Sequence, residues 1–225
     1  CTKHNERVKA IGALPRSLHG GLSWSSNGRP GPVVVDLPKD IQFASGLYEC
    51  PEIASHKTYR PAVKGDADRI RAAVELMATA RRPVFYTGGG VINSGPEASR
   101  LLRELVRETG FPITSTLMGL GAYPGTDEKF LGMLGMHGTY EANLAMHECD
   151  VMICVGARFD DRITGRLDAF SPSSKNIHID VDASSINKVV KVDVGLVGDC
   201  ASVLGDMRGA WGALPSRPDK SSLDP

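Results

Sequence analysis

A chain of 225 residues with 41% hydrophobic and 23% charged residues has the make-up of an ordinary globular protein, with room for one sizeable domain or one domain plus pieces of a neighbour. Lysine plus arginine equals aspartate plus glutamate at 26 each, and a net charge of zero gives no electrostatic case for nucleic acid or an acidic membrane surface. No stretch approaches the roughly 20 apolar residues of a membrane span, and the scattered cysteines (Cys1, Cys50, Cys149, Cys154, Cys200) form no Cys-x-x-Cys pair, which reads as reduced thiols in a cytoplasmic setting.

The opening residues, Cys1-Thr2-Lys3-His4-Asn5, carry neither a methionine nor a signal-peptide pattern, and the chain reads as a piece of something longer. Leu14 to Ser26 reads as a helix. Its adjacent glycines, Gly20 and Gly21, each cost about 1 kcal/mol against alanine and predict a helix that is short or frayed at its C-terminal end. "GRPGPVVVDLPKD" (28–40) is a turn, a three-valine strand and a proline-marked exit, bracketed so tightly that the strand over 33–37 is expected to be short, parallel and central. From 43 to 63 periodicity disappears while prolines recur, the pattern of a linker.

A regular alternation follows. Asp66 to Ala80 is an amphipathic helix capped by Asp66, with Ile70, Val74 and Met77 on one face. "PVFYT" (83–87) is a strand, Gly88-Gly89-Gly90 a loop, 96–109 a helix, "FPITST" (111–116) a strand and "LMGLGAYPG" a glycine-rich loop. A helix over 139–147, strands over 150–155, 176–182 and 192–198, a short helical turn at "SSINK" and a helix from Asp199 to Trp211 complete the series. Strand and helix in turn imply an α/β fold, a parallel sheet of about six strands with helices on both faces. The polar tail over 212–225 is expected to be loose.

In an open parallel sheet, ligands bind beyond the carboxyl ends of the strands. Four glycine-bearing loops fall at that edge: Gly88-Gly89-Gly90, Thr116-Leu117-Met118-Gly119, Met136-His137-Gly138 and Gly156-Ala157-Arg158. Glycines let backbone approach a ligand, Arg158 is a planar donor suited to a pyrophosphate, and Asp180 is placed to accept from a ribose hydroxyl. Together they suggest a dinucleotide laid along one edge. Singly each has a plainer reading: "TGGG" is a tight turn, His137 a buried histidine satisfied by backbone, Asp160-Asp161-Arg162 a solvated loop, and Asp180 and Asp182 caps of the next turn. No G-x-G-x-x-G, Walker loop, G-x-S-x-G elbow or zinc-ligand spacing is present.

In order along the chain, "TKHN", "GRPGPVVVDLPKDIQ", "TGGG", "TSTLMGLGAYPG", "LGMHGTYEANLAM", "VGARFDDRITGRLDAF" and "HIDVD" resemble the catalytic subunits of the acetohydroxyacid synthase (acetolactate synthase) family. The resemblance implies residues 1–42 as the end of a pyrimidine-binding domain, 43–63 as linker and 64–211 as a Rossmann-like central domain. It implies FAD in a structural role, held by Arg29, Gly89, Thr116, Leu117, Met118, and the run Leu134, Gly135, Met136 and His137. Gly156, Ala157, Arg158, Phe159 and Asp160, with Asp180, Val181, Asp199 and Cys200, complete that set. Lys39, Asp161 and Arg162 would face a substrate channel. No residue of this chain is expected to be catalytic: the glutamate that activates thiamine diphosphate and the Mg²⁺-binding G-D-G…N motif belong to segments before residue 1 and after residue 225. Implied partners are small 2-oxo acids, other copies in a dimer or tetramer, and a regulatory subunit. The alternatives are a related carboligase, such as glyoxylate carboligase, or a stand-alone nucleotide-binding module.

Overall fold

The computed structural model describes residues 1–51 and 59–215, and the chain divides into two compact units, Cys1–Pro61 and Ala62–Pro225. Residues 52–58 of the expected linker and 216–225 of the expected tail lie outside the described residues.

In the first unit, strand β1 (His4–Arg7) pairs in parallel with β2 (Val33–Asp36), His4 opposite Val33 and Arg7 opposite Asp36. Helix α1 (Leu14–Ser26) joins them, and α2 (Lys39–Phe43) follows. Two expectations are corrected. Helix α1 does not fray: it runs for 13 residues through the glycine pair. Gly20 and Gly21 are buried, and a Cβ on Gly21 would lie 3.2 Å from Val35 Cγ2, so the glycines bring the helix close onto the strand. The contact outweighs the propensity. Nor is the valine strand central: among the described residues it pairs only with β1, and none of its side chains is fully buried.

The second unit is a six-stranded parallel sheet in the order β5-β4-β3-β6-β7-β8. Its strands are β3 (Pro83–Thr87), β4 (Ile113–Ser115), β5 (Phe130–Met133), β6 (Val151–Val155), β7 (Lys175–Asp180) and β8 (Val194–Val197). Counted within this unit, the order is 3-2-1-4-5-6, that of doubly wound folds whose ligand crevice opens where the order reverses. Here that point lies between β3 and β6.

The helices follow from local chemistry. Asp66 caps α3 (Ala67–Ala78) by accepting from the Arg69 amide at 2.9 Å. Helix α5 (Pro96–Thr109) begins on proline and ends at Gly110, whose φ of 76° is the left-handed conformation of a helix C-terminus. Asp199 caps α8 (Cys200–Gly212). Apolar side chains of α3, α5 and α8 cover one face of the sheet, over Phe85, Ile113, Ile153, Ile177, Ile179 and Leu196. The other face carries Val84, Tyr86, Met152 and Cys154 beneath Ala142 and Met146 of α6 (Tyr140–Glu148). Helices therefore flank both faces, as the alternating pattern implies.

Four further elements differ from the reading of the sequence. The strand expected over 111–116 is only Ile113–Ser115. Strand β5 lies beyond the glycine-rich loop, in a stretch where the sequence pattern predicts no element; there Gly132 takes a φ of 93° and the pairing with β4 shifts register. The glycine triplet opens helix α4 (Gly89–Ser94), with Val91 buried beneath it, and α7 (Asp161–Thr164) follows the stretch after β6. Among the cysteines, Cys149, Cys154 and Cys200 are buried while Cys1 and Cys50 are exposed.

The core contains Phe111, fully buried with its ring 5.9 Å from Phe85 and 5.8 Å edge-on from Trp211. Phe111→Ala should lower the unfolding free energy by about 3–5 kcal/mol, and Phe111→Leu by roughly 1.5 kcal/mol or less, read as the shift of a urea transition.

Candidate functional site

Parallel pairing delivers the ends of all six strands to one edge. Gly89 follows β3, Thr116, Leu117 and Met118 follow β4, and Leu134 to His137 follow β5. Gly156 to Asp160 follow β6, Asp180 and Val181 close β7, and Asp199 and Cys200 follow β8. Arg29 and Lys39 belong to the first unit. The Arg29 carbonyl accepts from Lys3 Nζ at 2.9 Å, and Lys39 Nζ lies 5.8 Å from the Phe43 ring centroid.

At the reversal of strand order the glycines first serve contacts between loops. The Gly90 amide donates to the Gly156 carbonyl at 2.8 Å. A Cβ on Gly88 would lie 2.5 Å from the Gly156 oxygen, and one on Gly90 2.6 Å from the Gly156 Cα. A Cβ on Gly119 would lie 2.7 Å from the Thr87 oxygen and 2.8 Å from the Gly88 Cα. Side chains cannot be fitted between these backbones. Thr116 Oγ1 caps the turn after β4 by accepting from the Gly119 amide at 3.0 Å.

Beyond Gly156 the chain alternates. Ala157 and Phe159 are buried, whereas Arg158 and Asp160 are exposed and paired at 3.0 Å. The Arg162–Asp161 pair, 3.5 Å apart, is also exposed, and such pairs contribute under about 1 kcal/mol. Among the described residues no group accepts from the amides of residues 157 to 160. Four consecutive free donors and a guanidinium at a sheet edge form a suitable surface for phosphate oxygens. Beside it stand exposed Leu117, Met118 and Met136, an apolar flank suited to a ring system.

Other assigned residues have structural duties. Leu134 is buried in the core, and Gly135, at φ 92°, is gripped by Asn143, which accepts from its amide at 2.9 Å and donates to its carbonyl at 3.1 Å. Asp180 Oδ1 accepts from the Asp182 amide at 2.8 Å, and Asp182 from the Ser184 amide at 2.9 Å, so both aspartates cap the turn after β7. Asp199 Oδ1 accepts from the Ala201 amide and from Ser94 Oγ, tying α8 to α4. Burial pushes the Cys200 thiol up to about 12, leaving it protonated at neutral pH. His137 is exposed, contrary to its plainer reading; the buried histidine is His178, 1% exposed.

Residues 70–207 match the family described as thiamine pyrophosphate enzyme, central domain. The chain belongs to this family. It is 45% identical over 209 residues to the acetolactate synthase large subunit of Haemophilus influenzae and 44% identical over 207 residues to the acetolactate synthase isozyme 3 large subunit of Escherichia coli. With the acetolactate synthase of Mycobacterium leprae it shares 45% over 206 residues. These alignments cover 92%, 91% and 92% of this chain but only 36%, 36% and 33% of the relatives, so the chain spans about a third of their length.

Reading the sequence missed Asn143, Tyr86 and His178. Asn143 lay in a helix pattern with no local sign that it grips a loop. His178 Nε2 lies 2.8 Å from the Ala157 carbonyl, and Tyr86 Oη donates to the Arg158 carbonyl at 2.9 Å. Both sit inside short, largely apolar strand runs, with no local sign that they reach the loop after β6.

Two predictions follow from this geometry. Gly90→Ala forces a Cβ against the Gly156 backbone and should destabilise by about 1–3 kcal/mol, whereas Gly209→Ala, in α8 with open space around it, should stabilise by roughly 0.5–1 kcal/mol; thermal unfolding of both variants checks the contrast. Burial holds the His178 imidazole below its ordinary 6.5, against opposing pulls from the Ala157 carbonyl and Asp180. The unfolded chain therefore takes up a proton that the folded chain resists, and this stability is lost as pH falls below about 6.5. Urea midpoints between about pH 7 and pH 5 should drop less for His178→Gln than for the wild type; equal drops would place the acid sensitivity elsewhere.

Proposed function

We propose that this chain is the central portion of an acetolactate synthase, which decarboxylates pyruvate and joins the two-carbon unit to a second 2-oxo acid. The observation that carries the reading is identity of 44–45% to acetolactate synthase large subunits, sustained over nearly the whole chain. In this reading residues 1–42 close the pyrimidine-binding domain, 43–63 link, 64–211 are the FAD-binding domain, and 212–225 lead toward a further domain. Thiamine diphosphate with Mg²⁺, held by residues outside this chain, would supply the electron sink for decarboxylation.

FAD is the group this chain itself holds, in a structural role. The fit rests on the free amides of residues 157 to 160, the adjoining guanidinium of Arg158 and the apolar flank of Leu117, Met118 and Met136. The amides and Arg158 would receive the pyrophosphate, and Asp180 Oδ2, which lies 3.9 Å from His178 Nε2, would accept from a ribose hydroxyl. Gly89, Thr116, Leu134, Gly135, His137, Gly156, Phe159, Val181, Asp199 and Cys200 shape the edge around these contacts. Asp161 and Arg162 border the substrate channel. The enzyme works as a homodimer or homotetramer with a regulatory subunit, in the cytoplasm. Among the described residues no helix is long and apolar enough to cross a membrane.

The continuous protein containing this chain should form acetolactate from pyruvate when supplied with thiamine diphosphate, Mg²⁺ and FAD. Condensation of glyoxylate in its place would assign it to a related carboligase. Flavin fluorescence titration should show FAD binding tighter than ADP or NAD, weakened about 10–100-fold by Arg158→Ala, the worth of charge-assisted hydrogen bonds. Unchanged affinity in that variant would remove Arg158 from the site.

A further inference from the structure

The loop after β6 is fastened from beneath by three strands. Ala157 offers its carbonyl to His178 Nε2 at 2.8 Å and to Cys154 Sγ at 3.3 Å, and Arg158 offers its own to Tyr86 Oη at 2.9 Å. Tyr86 belongs to β3, Cys154 to β6 and His178 to β7, three neighbouring strands. The Phe159 ring closes over them, 5.2 Å from the His178 ring and 5.8 Å from that of Tyr86.

Carbonyls only accept, so each partner must carry a proton. Burial keeps both the Tyr86 phenol and the Cys154 thiol well above their ordinary values, and holds His178 neutral with its proton on Nε2. His178 Nδ1 is then a buried acceptor with no partner among the described residues. A buried unpaired acceptor is a standing cost to the fold, and an apolar side chain would avoid it. The Nε2–H bond to Ala157 accounts for a histidine there.

The consequence follows from peptide geometry. None of the described peptides is cis, and in a planar trans peptide the N–H points opposite to the carbonyl it shares a plane with. Turning the carbonyls of Ala157 and Arg158 inward turns the amides of Arg158 and Phe159 outward. These are two of the four amides that lack an acceptor.

We propose that Tyr86 and His178 are positioning residues: by holding the carbonyls of Arg158 and Ala157 against the sheet, they aim two successive amides and the Arg158 guanidinium at the phosphates of a bound dinucleotide. The inference rests on the nucleotide-binding reading and adds to it the residues that preorganise the site. Neither side chain touches the ligand; both act through the loop.

The test pairs two measurements on the full chain and its variants Tyr86→Phe, His178→Leu and His178→Gln. Glutamine places an N–H donor the same number of bonds from the backbone as Nε2 and serves as the conservative rescue. The first measurement is FAD affinity. Tyr86→Phe and His178→Leu should each weaken it about fivefold, the worth of one hydrogen bond, and His178→Gln less than about twofold. In an Arg158→Ala background the losses should shrink, because part of the effect passes through Arg158. The second measurement needs no nucleotide: trypsin cleavage at the Arg158–Phe159 bond, compared with cleavage after Arg71 and Arg103 in the helices. Loosening the loop should speed cleavage at Arg158 several-fold while leaving the helical sites unchanged. Uniform acceleration, or none, would overturn the inference, as would selective acceleration with FAD affinity intact in both variants. Selective acceleration in a protein whose wild type binds no FAD would instead overturn the nucleotide reading and leave the loop fastening standing. Should His178→Leu fail to fold, Tyr86→Phe, which removes a single oxygen, carries both measurements.

Discussion

Close approach of backbone to backbone at the reversal of strand order governs the second unit. Gly88 and Gly90 lie against Gly156, and Gly119 against Thr87 and Gly88, at separations no side chain could share. The Gly90 amide on the Gly156 carbonyl fixes the contact, and Gly156, at φ 60°, turns the chain out of β6 in a conformation that favours glycine. The direction taken by Ala157, Arg158 and Phe159 is set at that step. Glycines that look in sequence like room for a ligand are first a condition for three loops to meet. The ligand surface is what remains once they have met.

The two faces of the sheet divide the work. The face under α3, α5 and α8 is mainly apolar, with Thr87 and Ser115 at strand ends among its few buried polar residues, and its large buried side chains supply most of the stability. The opposite face carries Tyr86, Cys154 and His178 among its apolar neighbours. Hydrogen bonds of that kind add only about 1 kcal/mol each to stability, but they have direction, which burial lacks. A substitution on the first face should therefore act mainly on folding, and one on the second on the placement of a loop.

Much of this was legible in the sequence because local chemistry and tertiary structure agree. Asp66 and Asp199 sit immediately before apolar helical periodicity and cap α3 and α8. "PVFYT" and the strand from Val151 to Val155 are short apolar runs and are buried along their whole length, as central parallel strands are. Legibility failed where contacts between distant segments decide the outcome. Strand β1, "HNER", is polar and has no apolar alternation to betray it. Gly20 and Gly21 read as a weak point in α1, yet both are buried and Gly21 packs against Val33 and Val35 of β2. His137 and His178 look alike in sequence, and only the path of the chain buries one and exposes the other. Capping by Asp180 and Asp182 is one of the two roles their sequence context allows, and the fold shows it.

The distribution of thiols gives the molecule a built-in counter of its own state. Cys1 and Cys50 are open to solvent, while Cys149, Cys154 and Cys200 are enclosed and held protonated by burial. Because the thiolate is the reactive form, an alkylating label meets two kinds of sulfur in the same chain. The exposed pair marks every molecule, and the enclosed three mark only those that have opened. Cys154 donates to Ala157 beneath the glycine-bearing loop, Cys200 begins α8 and Cys149 lies beside Ser171. The order in which the three become labelled would trace which part of the sheet gives way first.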